Sequence, residues 1–316
     1  KCFWKVRMEA MQIVSDKTEF KLKGVSAVAI GKFDGIHAGH YRLLDEILRQ
    51  KKNGLKSVIF TFFPSATVYF GGEDAKELTT REEKREIFER MGIDVLVEFP
   101  LNPETAATDP VDFVKKILIE MMNMKFLAAG EDVSFGKGGK GNRVLLEEMA
   151  EENDFTVKII EKIFDHGKEI SSTYVREEIL KGNMELASEL LSRNYSMEGI
   201  VENGMHLGRK MGFPTVNLYP PKEKLMPPYG VYYSDVFYDG CMYHGITNIG
   251  VKPTVQQTKR VNAETYLYDF DRDIYGKKIR LELLKFKRPE QKFQDLAGLQ
   301  KQLRQDVEDG KRWFMG

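Results

Sequence analysis

The stretch Val25-Ser26-Ala27-Val28-Ala29-Ile30, running into Gly31-Lys32-Phe33-Asp34-Gly35-Ile36-His37-Ala38-Gly39-His40, decides the fold of the first half of the chain. An apolar run of this length that ends at glycine reads as a buried strand. Behind the loop, Leu43, Leu44, Ile47 and Leu48 recur on one face of a helix. The strand–loop–helix pattern then repeats. Strand-like runs at Lys56 to Phe63, Asp94 to Glu98, Phe126 to Ala129 and Thr156 to Ile163 alternate with helical patterns at Arg81 to Met91, Pro110 to Met124 and Val144 to Asn153. Such βαβ alternation predicts an α/β domain, a doubly wound, Rossmann-like parallel sheet with helices on both faces.

In that architecture Gly31 to His40 lies at the carboxyl edge of the sheet, where backbone N–H groups and a helix dipole attract anions. His37 and His40 are three residues apart at the helix entrance and face the same way. They could donate hydrogen bonds to phosphate oxygens while charge builds on a leaving group. Gly35 and Gly39 would let a ligand approach the backbone. For an isolated H-x-G-H, a pair of capping or partly buried histidines beside turn glycines fits the residues equally well.

The chain has 316 residues with 48 basic and 48 acidic side chains, a length that suits about two domains. A net charge of zero, with both signs interspersed, argues against nucleic acid as a partner. Cys2 and Cys241 have no metal-ligand spacing and suggest no disulfide framework, so a reducing cytoplasm is the expected location. No run approaches the roughly 20 apolar residues of a membrane span, and no signal peptide is visible. Met8 is the candidate native start. After about Leu191 the texture changes to short β-rich runs between Gly and Pro. Tyr232 to Tyr238 and Met242 to Ile249 flank Asp239-Gly240, a dipeptide suited to a type I′ hairpin turn. A compact antiparallel β-barrel is expected, with a terminal helix packing on it through Leu296, Leu299, Leu303 and Val307.

The loop Gly31 to His40 resembles the H-x-G-H signature of the nucleotidyltransferase superfamily, in the form G-x-F-D-G-x-H-x-G-H of bacterial FMN adenylyltransferases. Ala129 to Asn142 is similar to that family's flavin-side and loop segment, and Ile170 to Ile179 to its I-S-S-T-x-x-R motif. The resemblance implies that ATP is held by Gly31, Lys32, Phe33, Asp34, His37, His40, Ser171, Ser172, Thr173 and Arg176, and flavin by Phe62, Pro64 and Asp132. Read alone, Ser171 to Thr173 are better taken as a helix N-cap than as a phosphate site. Gly136, Gly138 and Gly141 satisfy G-x-G-x-x-G, but polar residues separate them from the preceding strand, so they read as a basic loop rather than a dinucleotide fingerprint. One departure stands out. Ser65 occupies the place of the family's histidine after Phe62-Phe63-Pro64, which would weaken adenylylation or shift a phosphate contact to another donor such as Lys137.

In the second half, Gly204, Gly208, Arg209, Lys210 and Gly212 form a basic glycine-rich turn before Pro214-Thr215-Val216-Asn217. If Thr215 to Asn217 is extended, a hydroxyl and an amide oxygen lie on one face and could meet a hard cation such as Mg²⁺. A Thr and an Asn capping a turn is the alternative. This segment is similar to the G-R-x-x-G-x-P-T-A-N motif of riboflavin kinases, and Gly230 to Tyr232, Asn248 to Thr254, Glu264 to Gly276 and Arg288-Pro289-Glu290 match further motifs of that family. The resemblance implies that Gly204, Gly208, Arg209, Gly212, Thr215 and Asn217 hold ATP. It further implies that Thr215 and Asn217 bind the metal, that Arg288 lies on the flavin side, and that Glu264 takes the proton from the riboflavin 5′-hydroxyl. Carboxylates are weak bases for alcohols, so alignment and charge neutralisation would supply most of the rate.

Together the two resemblances imply an enzyme whose residues 187–316 phosphorylate riboflavin to FMN and whose residues 1–186 adenylylate FMN to FAD. ATP is the co-substrate and Mg²⁺ the cofactor. The expected partners are small molecules (riboflavin, FMN, FAD and ATP), with neither nucleic acid nor membrane, and a homo-oligomer is compatible with the sequence. Two alternatives are a kinase with an impaired adenylyltransferase half, motivated by Ser65-Ala66, and a flavin-binding regulator, which loss of Glu264 or of the histidine pair would signal.

Overall fold

The computed structural model describes residues 10–72, 75–203, 212–253 and 259–316. The chain divides into two compact units at Tyr174/Val175. Among the described residues no helix is long and apolar enough to cross a membrane.

The first unit is built on six strands: β1 (Gln12–Ser15), β2 (Ser26–Ile30), β3 (Lys56–Phe63), β4 (Val95–Pro100), β5 (Met124–Gly130) and β6 (Thr156–Ile160). They pair in the order β1-β4-β3-β2-β5-β6, every neighbour parallel. Helices α1 (Ala38–Arg49), α2 (Ala66–Gly71), α3 (Arg81–Arg90), α4 (Phe113–Met121, wound as a π-helix) and α5 (Arg143–Glu152) connect them. β2 explains the two-sided cover. Its alternate residues Val28 and Ile30 pack into one core with Phe60, Val97 and Phe113, while Ala27 and Ala29 pack into the other with Leu44, Ile47 and Phe88. The chain leaves β2 toward β3 on one side and returns to β5 on the other, so the sheet reverses direction beside β2. Crevices at such switch points, beyond the carboxyl ends of the strands, are where α/β sheets take ligands.

Three boundaries differ from the sequence reading. β1 carries no strong periodic signal and joins as a four-residue edge strand beside β4. The run expected to reach Ile163 ends at Ile160. Beyond it lies a separate hairpin, β7 (Phe164–Asp165) and β8 (Lys168–Glu169), turning at His166 and Gly167, both at positive φ. The helix expected to reach Met124 stops at Met121, because Asn123 adopts φ 50° and Met124 opens β5.

The division between the units falls within α6 (Ser172–Lys181), which is followed by α7 (Met184–Leu191). In the second unit β9 (Tyr195–Ile200), β10 (Thr215–Leu218), β11 (Gly230–Tyr238), β12 (Cys241–Pro253), β13 (Lys259–Leu267) and β14 (Lys278–Pro289) form an antiparallel sheet in the order β10-β13-β12-β11-β14-β9. The sheet curls until its ends meet in a bridge between Glu202 and Asn217, as a barrel requires. The β11–β12 hairpin turns at Asp239 and Gly240 with φ of 52° and 74°, both positive as a type I′ turn demands. Cys241 opens β12, and Cys2 lies outside the described residues.

Strand alternation gives this sheet an inner and an outer face. Inside lie Tyr232, Val236, Ile249, Ala263, Leu281 and Leu283, together with a thread of buried hydroxyls from Ser234 through Thr247 to Thr265 at 2.7 and 2.8 Å. Outside, α8 (Leu296–Met315) lies on Tyr233, Ile246, Tyr266 and Tyr268 through Val307 and Phe314. The expected stripe is thus corrected at one end. Leu296 is exposed, and the buried residues of the helix are Asp306 and Gly310.

Candidate functional sites

In the first unit Gly31 to His40 runs from the carboxyl end of β2 into α1, beside the switch point. Phe33 and Ile36 hold φ of 49° and 48° with fully buried side chains, a costly backbone for non-glycine residues. Contacts from residues distant in sequence fix that shape. Leu78 N–H donates to Asp34 Oδ1 at 2.8 Å, Gly35 N–H to Thr79 Oγ1 at 3.1 Å, and Ser172 Oγ to the Asp34 carbonyl at 2.8 Å. His37 sits at the N-cap of α1 but makes no side-chain cap, so its ring is not spent on the helix end. The His37 and His40 rings lie side by side, centroids 3.9 Å apart and tilted by 32°, and Phe33 lies 5.1 Å from His40. Gly39 makes room: a Cβ there would stand 3.1 Å from His37 Nδ1.

Ser171 Oγ accepts from Tyr174 N–H at 3.3 Å, so it caps α6, while Ser172 ties α6 to the histidine loop. Thr173 is exposed on the first turn, and Arg176 stands half-buried one turn in, beyond the division between the units. Lys32 is exposed on the loop, and Gly31 lies under the Phe33 ring. Phe62 and Pro64 flank the end of β3, Phe62 packing at 5.2 to 6.4 Å against Phe60, Phe99 and Phe113. Arg81 stacks on Phe63 at 3.7 Å and, with Arg85, grips the Glu98 carboxylate at 2.5 to 2.9 Å. Burial pushes the Glu98 carboxyl up, but the two guanidiniums outweigh it and hold the group below its ordinary range. Ser65 is buried as the N-cap of α2, its Oγ accepting from Val68 N–H at 3.3 Å. Asp132 is exposed after β5 and pairs with Lys162 at 3.6 Å. The G-x-G-x-x-G stretch is a turn with Gly136 and Gly138 at positive φ, separated from β5 as expected.

The second site lies on the outer face of the curled sheet. β10 and β13 pair with Asn217 opposite Glu264 and Thr215 opposite Tyr266. Thr215 Oγ1 donates to Glu264 Oε1 at 2.8 Å. Asn217 Oδ1 accepts from Asn262 Nδ2 at 3.0 Å, and those two side chains are only 4% and 1% exposed. Val216 turns to the opposite face, as the period of two requires. A hydroxyl and an amide oxygen two residues apart on one face are hard donors and fit a hard divalent cation. Gly204, Gly208 and Arg209 lie outside the described residues; Gly212 is described, at φ 86°. Arg288 is held by Asp306 of α8, its Nε and Nη2 donating at 2.6 to 3.2 Å, while its Nη1 donates to the neighbouring Pro289 carbonyl at 3.0 Å.

Sequence reasoning missed three contributors. Leu78 and Thr79 reach the histidine loop from 44 residues away and carry no local signature. Asn262 pins Asn217. Glu290, part of a motif already matched, accepts from Asn248 of β12 at 3.4 Å, and Asn248 lies opposite Glu264. A period-two reading outward from Glu264 would have found Asn262.

Together, a doubly wound sheet with paired histidines at its switch point and a curled antiparallel sheet with Thr215, Asn217 and Glu264 on its outer face define a two-part protein, a nucleotidyltransferase-type unit followed by a riboflavin-kinase-type unit. The family model for FAD synthetase matches residues 20–174, and that for riboflavin kinase matches residues 191–314. The bifunctional riboflavin kinase/FMN adenylyltransferase of Bacillus subtilis is 33% identical over 92% of this chain and 92% of its own. That of Escherichia coli K12 is 33% identical over 91% of this chain and 92% of its own. A crystal structure described as a macrolide-efflux protein from Streptococcus pneumoniae superposes with a TM-score of 0.82 at 27% identity, covering 96% of this chain and all of that one. The chain belongs to the family of bifunctional riboflavin kinase/FMN adenylyltransferases.

Proposed function

We propose that this chain makes FAD from riboflavin in two ATP-dependent steps, residues 187–316 forming FMN and residues 1–186 adenylylating it. The observation that carries this reading is the coexistence of both residue sets, the adjoining His37 and His40 rings and the Thr215–Glu264 hydrogen bond, on one chain of this family.

In the kinase half Glu264 accepts the proton of the riboflavin 5′-hydroxyl as its oxygen attacks the γ-phosphorus of ATP. The Thr215 hydroxyl donates to one oxygen of the Glu264 carboxylate at 2.8 Å and so orients the group toward the substrate alcohol. Thr215 and Asn217 would hold Mg²⁺, which when bound neutralises charge on the phosphates. In the adenylyltransferase half a phosphate oxygen of FMN attacks the α-phosphorus of a second ATP. A P–O bond forms, the bond to the β-phosphate breaks, and pyrophosphate leaves. His37 and His40 donate to the triphosphate as charge moves onto it, in a loop already shaped by Thr79, Leu78 and Ser172, so little reorganisation accompanies the reaction. Gly31, Lys32, Phe33 and Asp34 with Ser171, Thr173 and Arg176 make up the ATP side, and Phe62, Pro64 and Asp132 the flavin side. On the kinase side, Gly204, Gly208, Arg209 and Gly212 face ATP and Arg288 the flavin. The partners are small molecules and the setting is the cytoplasm.

A second reading, a kinase whose adenylyltransferase half is impaired, is favoured by Ser65, whose hydroxyl is engaged as a helix cap and brings no positive charge. One assay separates the two. With ATP and Mg²⁺, the bifunctional enzyme gives FAD from either riboflavin or FMN, whereas the impaired one gives FMN and no FAD. Glu264→Gln is expected to abolish FMN formation and spare FAD formation from supplied FMN, and His37→Ala to do the reverse. A variant that hit both activities equally with its fold intact would overturn the assignment of separate sites.

A further inference from the structure

Asn262 is not accounted for by the two reactions. It lies on β13 two residues before Glu264 and therefore on the same outer face, diagonal to Asn217, with Gly250 of β12 opposite it. It is almost completely buried, and its Nδ2 donates to Asn217 Oδ1 at 3.0 Å. Its own Oδ1 finds no hydrogen-bond partner among the described residues. A buried amide with one end unsatisfied is unfavourable and calls for a reason.

An asparagine amide has two ends of nearly equal shape and opposite character, one an acceptor and the other a double donor. Asn217 can serve a cation only with its oxygen turned toward it, since its NH₂ end would repel the metal. In this structure the Asn262 N–H makes that choice, bonding to the oxygen end of Asn217. It occupies one lone pair of Asn217 Oδ1 and leaves the second for the cation. Thr215 needs no such partner, since a hydroxyl presents lone pairs in several rotamers and its proton already goes to Glu264.

We propose that Asn262 is a positioning residue of the kinase site that fixes the amide of Asn217 with its oxygen directed at the divalent cation accompanying ATP. This rests on the reading of Asn217 as a cation ligand. The discriminating variant is Asn262→Asp, which keeps the shape and reverses the polarity. A carboxylate accepts from Asn217 Nδ2 and so turns the Asn217 oxygen away. Simple electrostatics predicts the opposite, because an added negative charge beside a cation site should tighten metal binding.

The test is Mn²⁺ binding by the full chain in the presence of ADP, followed by the paramagnetic resonance of free Mn²⁺, with FAD formation from FMN as the control for an intact chain. Asn262→Asp is expected to weaken Mn²⁺ binding at least about tenfold, as loss of a partner that orients a ligand does. Asn262→Ser, which still offers an O–H donor, should retain more affinity than Asn262→Asp and serves if the aspartate variant does not fold. Unchanged or tighter binding in Asn262→Asp overturns the proposal, as does Asn262→Ser binding worse than Asn262→Leu, which has no donor. Asn217→Leu separates the two levels of the argument. If it leaves Mn²⁺ affinity unchanged, the ligand reading itself fails; if it abolishes binding while every Asn262 variant binds normally, only the positioning role fails.

Discussion

Replacing Thr79 with valine tests whether the histidine loop is held from a distance. Thr79 is buried, its Oγ1 accepts the Gly35 N–H at 3.1 Å, and it touches neither histidine in sequence nor through its own bond. Valine has nearly the same volume, so no cavity opens; what is lost is the acceptor for a buried N–H, at a cost of about 1–3 kcal/mol. The loop is strained at Phe33 and Ile36, so part of that cost should appear as loss of the shape presenting His37 and His40 rather than as unfolding. If all of it falls on the transition state, FAD formation from FMN slows by about 5- to 150-fold. FMN formation from riboflavin by the same preparation is the internal control and should be unchanged. Thr79→Ser keeps the acceptor and should recover most of the rate. FAD formation within twofold of wild type in Thr79→Val, with the Asp34–Leu78 bond intact in a structure of the variant, would refute the reasoning.

Other substitutions probe the scaffold of each half. Glu98→Gln removes the acid that Arg81 and Arg85 share and should destabilise the first unit by about 3 kcal/mol at neutral pH. The wild-type Glu98 carboxyl is depressed in the fold, so its contribution is complete above the unfolded value of about 4.3 and is lost as pH falls through the lower folded value. Urea midpoints should therefore converge for variant and wild type in acid, and a gap that stayed constant with pH would contradict the pairing. Asp306→Asn, a residue only 1% exposed beneath Arg288 and Lys287, should cost about 3 kcal/mol and make FMN formation fail at lower temperature than FAD formation. Gly310→Ala would drive a methyl into Tyr268 Oη and Ile246, and that tyrosine cannot yield because it is bonded to the Val307 carbonyl at 2.7 Å. A loss of about 1–3 kcal/mol is expected from thermal unfolding, and a neutral result would mean that α8 can lift off the sheet.

Much of this was legible in the sequence because the relevant signals are local. β2 declares itself as an apolar run and the β11–β12 turn as Asp239-Gly240. The pairing of Thr215 with Glu264 was reachable only through family resemblance, since 49 residues separate them. What stayed hidden depends on tertiary placement. β1 is too short and too exposed for its alternation to register, and it exists because β4 offers an open edge. Thr79 looks like any residue before a helix until Gly35 is set beside it. Leu296 completes an apolar helical period yet ends exposed, because the contact of α8 with the sheet is made nearer its other end, at Val307, Gly310 and Phe314. Hydrophobic spacing identifies a face but not how far along the helix its neighbour reaches.

The hydroxyl thread inside the curled sheet also bears on heredity. Ser234, Thr247 and Thr265 can each act as donor or acceptor, so the thread tolerates either direction of its protons but not the absence of a member. Thr265 is the immediate neighbour of Glu264, and consecutive strand residues face opposite sides. A one-residue slip of β13 would bring Glu264 into the apolar interior and put Thr265 outside, at once breaking the thread and burying a charge. Mutations that lengthen or shorten β13 are therefore removed by misfolding before they can be tried as altered catalysts. Variation that reaches selection in this half is confined to exchanging side chains on a fixed frame.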